Sequence, residues 1–167
     1  MTAAAGKAQV RPGGIADIAF VMALERLPGN EVLTARWTDE EHRRALALPD
    51  TRYLIGLRPD GSPEGFAILE RIADPHEGAK LKRIAVARPG AGFGQPLLAA
   101  VTRWVFEHTP AERLWLDVFS YNERARHVYL KGGFRDDGAL RQAYVLPGGE
   151  RVDRRIMSIL RSEWSAH

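Results

Sequence analysis

The stretch RPGAGFGQPLLAAV, residues 88–101, places a loop with three glycines directly before an apolar helix. Gly90, Gly92 and Gly94 stand at alternate positions, so much of this loop is bare backbone. The first amides of a helix have no intrahelical partner, and the helix dipole is positive at that end. Glycine lets an anion come close to such amides. A phosphate or pyrophosphate group is therefore the expected ligand of this loop.

Two common nucleotide-binding motifs do not fit the loop. A Walker A loop requires Lys-Ser or Lys-Thr after its last glycine, and neither dipeptide follows here. A dinucleotide-binding fingerprint requires G-x-G-x-x-G, whereas this loop has G-x-G-x-G and follows a hairpin. For the loop taken alone, a glycine-rich turn without any ligand is the remaining alternative.

Apolar periodicity predicts the element order β-α-α-β-β-β-α-β-α-β-β, a mixed α/β sheet. Thr38 and Glu41 have the spacing of a capping box before the second helix. We expect one domain over residues 7–167 and a loose tail over residues 1–6. The predicted strands are 8–12, 52–58, 64–72, 80–87, 113–119, 139–146 and 151–160, and the predicted helices are 15–27, 39–48, a helix from 96 and 122–131.

Composition excludes several function classes for these 167 residues. The chain has no cysteine, which rules out disulfides and thiol catalysis. Histidines are scattered, so we expect no metal site. The chain has a net charge of +3 but contains no run of basic residues with interleaved aromatics, which argues against nucleic acid as a partner. No apolar run is long enough for a membrane span or a secretory signal, so the cytoplasm is the expected compartment.

A second motif, NERARHVYLKGGF at residues 122–134, follows the strand RLWLDVF. Together with the glycine loop it resembles the GNAT superfamily of acyl-CoA-dependent N-acetyltransferases. That family has the patterns (R/Q)-x-x-G-x-(G/A) and N-x-x-A-x-x-x-Y-x-x-x-G-F. The second pattern is matched in this chain by Asn122, Ala125, Tyr129, Gly133 and Phe134.

The resemblance implies a fold and a cosubstrate. The fold is α/β (α+β), with a mixed, mostly antiparallel central sheet flanked by helices, and the cosubstrate is acetyl-CoA. The strand that ends in Ile84–Val86 should diverge from RLWLDVF, leaving a gap for the pantetheine arm, while the loop amides hold the pyrophosphate. The implied cofactor-binding residues are Ile84, Ala85, Val86, Gly90, Ala91, Gly92, Phe93, Gly94, Gln95, Asn122 and Tyr129.

One position departs from the family pattern. Where the family has arginine or glutamine, this chain has Pro89, and Arg88 lies one residue earlier. Whether Arg88 compensates for Pro89 in holding the pyrophosphate is open at this point.

The resemblance also implies catalytic roles for Asn122 and Tyr129. The Tyr129 hydroxyl would protonate the leaving thiolate, although a buried tyrosine with a purely structural hydroxyl is the alternative. Asn122 would reach the cofactor near its reacting end, and it also has the position of a helix N-cap. The general base is harder to assign because the strand before the loop carries no acid. Glu70 is our candidate, with Glu25 and a water chain as alternatives. For both glutamates an exposed charge without a catalytic role is the other expectation.

The predicted function is direct transfer of an acetyl group to a primary amine of a small molecule or a protein N-terminus. The alternative is a non-catalytic acyl-CoA-binding or sensing domain. An amine-bearing acceptor is the expected partner, and a homodimer is possible in this family. The segment between the first two helices and the last hairpin should shape the acceptor site, but the sequence does not identify the acceptor.

Overall fold

The computed structural model describes residues 7–30, 36–76 and 78–164. The expected tail at residues 1–6 lies outside these ranges. The elements are β1 (Gln9–Pro12), α1 (Ile18–Glu25), α2 (Asp39–Ala47), β2 (Arg52–Leu57), β3 (Pro63–Glu70), β4 (Ala79–Val86), α3 (Gly94–His108), β5 (Arg113–Phe119), α4 (Glu123–Lys131), β6 (Arg135–Val145), β7 (Arg151–Leu160) and α5 (Arg161–Trp164).

The seven strands form one sheet in the order β1-β2-β3-β4-β5-β7-β6. All neighbouring strands are antiparallel except β4 and β5, which are parallel. Helix α3 makes the crossover that a parallel pair requires. The mixed, mostly antiparallel sheet is confirmed, and so is the predicted element order up to β7, after which the structure adds the short helix α5.

Local capping explains where two of the helices begin. The Thr38 hydroxyl accepts a hydrogen bond from the Glu41 amide, and the Glu41 carboxylate accepts one from the Thr38 amide, so α2 starts with the predicted capping box. The Asn122 side chain likewise accepts a hydrogen bond from the Ala125 amide at 3.1 Å and caps α4.

Two element boundaries differ from the predictions by more than two residues. The first helix begins as a 3-10 turn over Ile15–Asp17, because the Asp17 carboxylate accepts a hydrogen bond from the Gly14 amide at 2.9 Å. Strand β6 begins four residues before the predicted residue 139, because Arg135 and Asp136 already pair with β7. Apolar periodicity missed this start because Arg135, Asp136 and Asp137 are charged.

Both faces of the sheet are covered by apolar cores. On one face, Leu97, Leu98 and Val101 of α3 pack against the sheet. On the other face, α1 and α2 pack against the first strands through residues such as Val21 and Leu24. Along the described ranges, no helix is both long and apolar enough to cross a membrane, and no three possible metal-ligating side chains cluster together.

Candidate active site

The site begins where the two parallel strands separate. Within the described structure β4 and β5 pair only at their first residues, Ala79 with Leu114 and Lys80 with Trp115. Beyond these pairs the strands diverge, so the facing backbone edges of Leu81–Val86 and Leu116–Phe119 have no strand partner in each other. Such edges can hydrogen-bond an extended ligand that carries amides. The gap that the resemblance implied is therefore present.

The glycine loop lies at the wide end of this gap. Gly90 and Gly92 have φ angles of 84° and 90°, a region that side chains other than glycine rarely adopt. A Cβ atom built on Gly92 or on Gly94 would meet no protein atom within 4 Å. The loop therefore leaves open space directly in front of the first amides of α3, as an anion-binding site requires.

A cavity of about 340 Å³ joins the loop to the gap. Its walls fit a long, flexible ligand with an anionic end, since one end is bare backbone at a helix N-terminus and the other is a strand edge. The cavity brings together nine of the residues predicted from the family resemblance, namely Ile84, Ala85, Val86, Gly90, Gly92, Gly94, Gln95, Asn122 and Tyr129.

Two predicted loop residues do not line this cavity. The Ala91 amide already donates a hydrogen bond to the Arg88 carbonyl at 3.2 Å, which closes a turn. The Phe93 ring packs into the core beside α3. Of the loop amides, that of Ala91 is therefore the least available to a phosphate.

Arg88 does not take the place of the arginine or glutamine that the family has at the position of Pro89. Its Nε donates to the Glu64 carboxylate at 2.7 Å, and this ion pair raises the pKa of the Arg88 guanidinium. Arg124 of α4 lies over the loop instead, with its Nη2 3.5 Å from the point that a Gly90 Cβ would occupy. Arg124 also lines the large cavity. The sequence analysis missed this residue, because its approach to the loop depends on how α4 packs.

Asn122 and Tyr129 lie where the large cavity meets a second, smaller one of about 130 Å³. The capping role of Asn122 is confirmed by its hydrogen bond to Ala125, and its side chain also borders both cavities. The Tyr129 ring contacts Phe134, with 5.9 Å between ring centroids. In the described part of the chain, the Tyr129 hydroxyl has no hydrogen-bond partner. The side chain is therefore not held in place by a hydrogen bond of its hydroxyl.

The surroundings of Tyr129 keep its hydroxyl protonated. Desolvation is the larger cause and the negative charge of Asp117 the smaller one, and together they raise the pKa of Tyr129 to about 12. The hydroxyl is thus a proton donor throughout the neutral range and well into the alkaline range.

Asp117 is a candidate residue that the sequence analysis did not assign. It is the one acidic side chain among the described residues that line either cavity. Asp117 forms ion pairs with two cations, since its Oδ1 lies 2.8 Å from Arg154 Nη2 and its Oδ2 lies 3.7 Å from Lys80 Nζ. A signal was available, because Asp117 is the single charge inside the otherwise apolar core of β5, and a charge in such a strand requires partners.

The two predicted base candidates lie elsewhere. Glu70 forms an ion pair with Lys82 at 2.8 Å and does not line either cavity, so the structure does not bring it together with Tyr129. Glu25, expected to be exposed, has a side chain that is 0% exposed. Its carboxylate accepts from Arg83 Nη1 at 2.6 Å and lies 3.1 Å from His42 Nε2. That expectation of exposure is wrong, because α1 turns this residue inward onto β4.

Two segments are expected to shape the acceptor site. Residues 31–35, between the first two helices, lie outside the described residues. The last hairpin contributes Arg154 of β7 to the smaller cavity.

Known structures share this fold. A spermidine N-acetyltransferase from Vibrio cholerae, solved in complex with CoA and spermine, superposes with a TM-score of 0.83 at 20% identity, over 95% of this chain and 98% of that one. A chimera of the Vibrio cholerae enzyme and hSSAT superposes with a TM-score of 0.85 at 20% identity, over 97% of this chain and 100% of the other. At these identities the likeness shows a common fold.

The family is shown independently by a sequence model. The model of the acetyltransferase (GNAT) family matches residues 20–134, which include β4, the glycine loop, β5 and α4. The chain therefore belongs to the acetyltransferase (GNAT) family and is an acyltransferase that uses acetyl-CoA as its cosubstrate.

Proposed function

We propose that the protein transfers the acetyl group of acetyl-CoA directly to a primary amine that enters through the smaller cavity. The observation that carries this proposal is the position of Tyr129, which borders both the large cavity beside the glycine loop and the smaller cavity. Acetyl-CoA, when bound, supplies a thioester whose acyl carbon is open to attack by an amine. The chain has no cysteine to form a thioester of its own, which is consistent with direct transfer.

The cosubstrate would be held chiefly by backbone. Gly94 and Gln95 at the start of α3 line the large cavity together with Gly90 and Gly92, so their amides would be available to the cosubstrate. Arg124 adds a positive charge beside this loop, and the unpaired edge of Ile84–Val86 is available to the amides of the pantetheine arm. These features fit a pyrophosphate joined to a narrow, amide-bearing chain.

Tyr129 would act as the general acid. Its hydroxyl is protonated at neutral pH and has no partner within the described residues, so it is free to donate to the sulfur that leaves. Asn122 would help to fix the reacting end of the cosubstrate, since its side chain borders both cavities.

The base would be Asp117, directly or through one water. Asp117 lines the smaller cavity and lies close enough to Tyr129 to influence the pKa of its hydroxyl. Glu70 stays a prediction that mutation can test, but it is the weaker candidate because it pairs with Lys82 and does not line either cavity.

The test is steady-state release of free thiol from acetyl-CoA with a panel of primary amines. We expect amine-dependent thiol release and a product that is heavier by one acetyl group. Binding of acetyl-CoA without thiol release above the rate of hydrolysis, for every amine, would contradict the proposed transfer.

A further inference from the structure

The smaller cavity presents mainly positive charge to a ligand. Lys82, Arg83 and Arg154 line it, and Asp117 is the single acid among its described lining residues. The carboxylates that neutralise two of these cations stand behind the wall. Lys82 pairs with Glu70 at 2.8 Å, and Arg83 pairs with the buried Glu25 at 2.6 Å.

Aromatic rings hold the cations in place. The Arg154 guanidinium lies 5.4 Å from the ring centroids of both Phe119 and Tyr144. The Arg83 guanidinium lies 4.1 Å from the Trp37 ring. Such stacking fixes the plane of an arginine side chain without consuming its hydrogen-bond donors. The positive groups are therefore preorganised around the cavity.

The central feature is an ion pair that faces the cavity. Asp117 Oδ1 lies 2.8 Å from Arg154 Nη2, and both residues line the wall. Arginine carries five N–H donors, and the ion pair with Asp117 engages one nitrogen of Arg154. The guanidinium therefore keeps further donors for a ligand carboxylate.

We propose that the acceptor is an amine with a carboxylate on the adjacent carbon, as in a free α-amino acid. This inference rests on the proposed function. The acceptor ammonium would lie against Asp117 and its carboxylate against Arg154. An α-amino acid carries its two charges on one carbon, and the ion pair it meets is equally compact. Each buried charge therefore keeps a partner when the ligand enters, which avoids the cost of leaving one unpaired.

The same charges disfavour a polyamine. A polyamine brings several ammonium groups, but among the described lining residues only Asp117 offers a carboxylate to pair with them. The other ammonium groups would face Lys82, Arg83 and Arg154 without an acidic partner of their own. The acceptor class inferred here therefore differs from the spermine bound by the Vibrio cholerae enzyme that shares the fold.

The chemistry balances without a further reactant. The amine nitrogen forms a bond to the acetyl carbon, and the carbon–sulfur bond breaks, with its electron pair passing to sulfur. The primary ammonium gives up two protons overall. One is lost towards Asp117 and then solvent, and the sulfur receives one from Tyr129, which is replenished from the same pool. The products are an N-acetyl amino acid, the free thiol and one released proton.

The test compares each of several α-amino acids with the amine that its decarboxylation gives, for example leucine with 3-methylbutylamine. We expect kcat/KM to be at least about tenfold higher for the amino acid of the best pair, the scale of one charge-assisted hydrogen bond. Leucinamide, O-phosphoethanolamine with ethanolamine, a short peptide and spermidine complete the panel.

Variants then locate the selectivity. We expect Arg154→Gln to reduce the preference within the best pair to less than about threefold by raising KM for the amino acid, with less effect on the decarboxylated amine. Arg155→Gln is the matched control, because Arg155 is the adjacent cation on β7 but is bound to Asp136 rather than to the cavity. It should keep the full preference.

Several results would overturn the inference. Equal kcat/KM within each pair, a higher value for spermidine, or a preference only for the phosphate-bearing amine would each contradict a carboxylate-bearing acceptor. A preference that survives Arg154→Gln would contradict the assignment to this residue. If no amine of any kind releases thiol although CoA binds, the proposed function fails and the inference fails with it.

Discussion

The large and the smaller cavity together form one cleft, and its two ends are lined by different chemical groups. The end beside α3 is made of backbone, with glycines at positive φ and the free amides of a helix N-terminus. The end beside Asp117 is made of charged side chains from three strands, namely Arg83 of β4, Asp117 of β5 and Arg154 of β7. A backbone site suits a ligand that never changes, and a side-chain site suits a ligand that differs between relatives. We therefore propose that the first end binds the cosubstrate and that the second end selects the acceptor.

The largest expected effect is at the side-chain end. Replacing Asp117 by Asn removes the charge with little change in shape, so turnover near neutral pH should fall by about 10²- to 10⁴-fold, the usual scale of general base catalysis. The loss should shrink as pH rises, because the free amine becomes abundant. Initial rates of thiol release across pH measure both effects.

Glu70→Gln is the matched control for Asp117→Asn. Glu70 is also a carboxylate paired with a lysine, but it lies outside the cavity walls. Its replacement should change turnover by less than about threefold, far below the scale of general base catalysis. The reverse ranking of the two variants would restore Glu70 as the base.

The next largest effect on turnover is expected at Tyr129, where the two cavities meet. Tyr129→Phe keeps the ring and removes the proton donor, so turnover should fall by roughly 10- to 10³-fold. Because the hydroxyl has no partner in the described structure, the free energy of unfolding should change by no more than about 0.5 kcal/mol. Turnover and urea denaturation of one preparation give both values. Normal turnover with chemistry shown to be rate-limiting would remove Tyr129 from the mechanism.

The raised pKa of Tyr129 adds a pH dependence with a defined sign. The folded-state pKa of about 12 lies above the ordinary value near 10. The stabilisation of the protonated form is therefore complete below about pH 10 and is lost as the pH rises through about 12. The ratio of wild-type to Tyr129→Phe turnover should stay constant from about pH 7 to pH 10. A ratio that falls within this range would contradict the assigned donor.

The smallest expected effect is on the affinity for CoA, and it distinguishes two arginines near the glycine loop. Arg124→Gln should weaken CoA binding by about twofold to fivefold, the scale of an exposed ion pair, and the effect should fade at high salt. Arg88→Gln should leave the affinity for CoA unchanged, because Arg88 is bound to Glu64. Calorimetric titration at low and high salt measures both. A larger loss for Arg88→Gln would assign the phosphate contact to Arg88 instead.

The backbone end of the cleft was predictable from sequence because its signals are local. Gly90, Gly92 and Gly94 lie within five consecutive residues, and the motif from Asn122 to Phe134 occupies one helix and its end. Periodicity also predicted the order of the strands along the chain, since each strand carries its own apolar pattern. Boundaries were less predictable where charged residues such as Arg135 pair in the sheet.

The side-chain end was not predictable in the same way. Arg83, Asp117 and Arg154 are far apart in sequence and meet only because β4 and β5 separate and β7 lies beside β5. Glu25 illustrates the same limit, because the direction in which α1 faces depends on packing against β4. Each of these side chains is an ordinary charge in the sequence and becomes a candidate functional group only through its neighbours.

The most direct test of the division between the two ends is the affinity for acetyl-CoA of Gly92→Val, measured beside Asp117→Asn and Gly61→Val. Gly61 is the matched control, since its φ of 83° gives the same backbone strain, and a Cβ there also meets open space, but it lies in the turn before β3. Both glycine variants should lose a similar stability, about 1–2 kcal/mol. Only Gly92→Val should lose at least about tenfold in affinity, which corresponds to about 1.4 kcal/mol of binding free energy. Unchanged affinity in Gly92→Val, or an equal loss in Asp117→Asn, would contradict a cosubstrate site built from the backbone of the glycine loop.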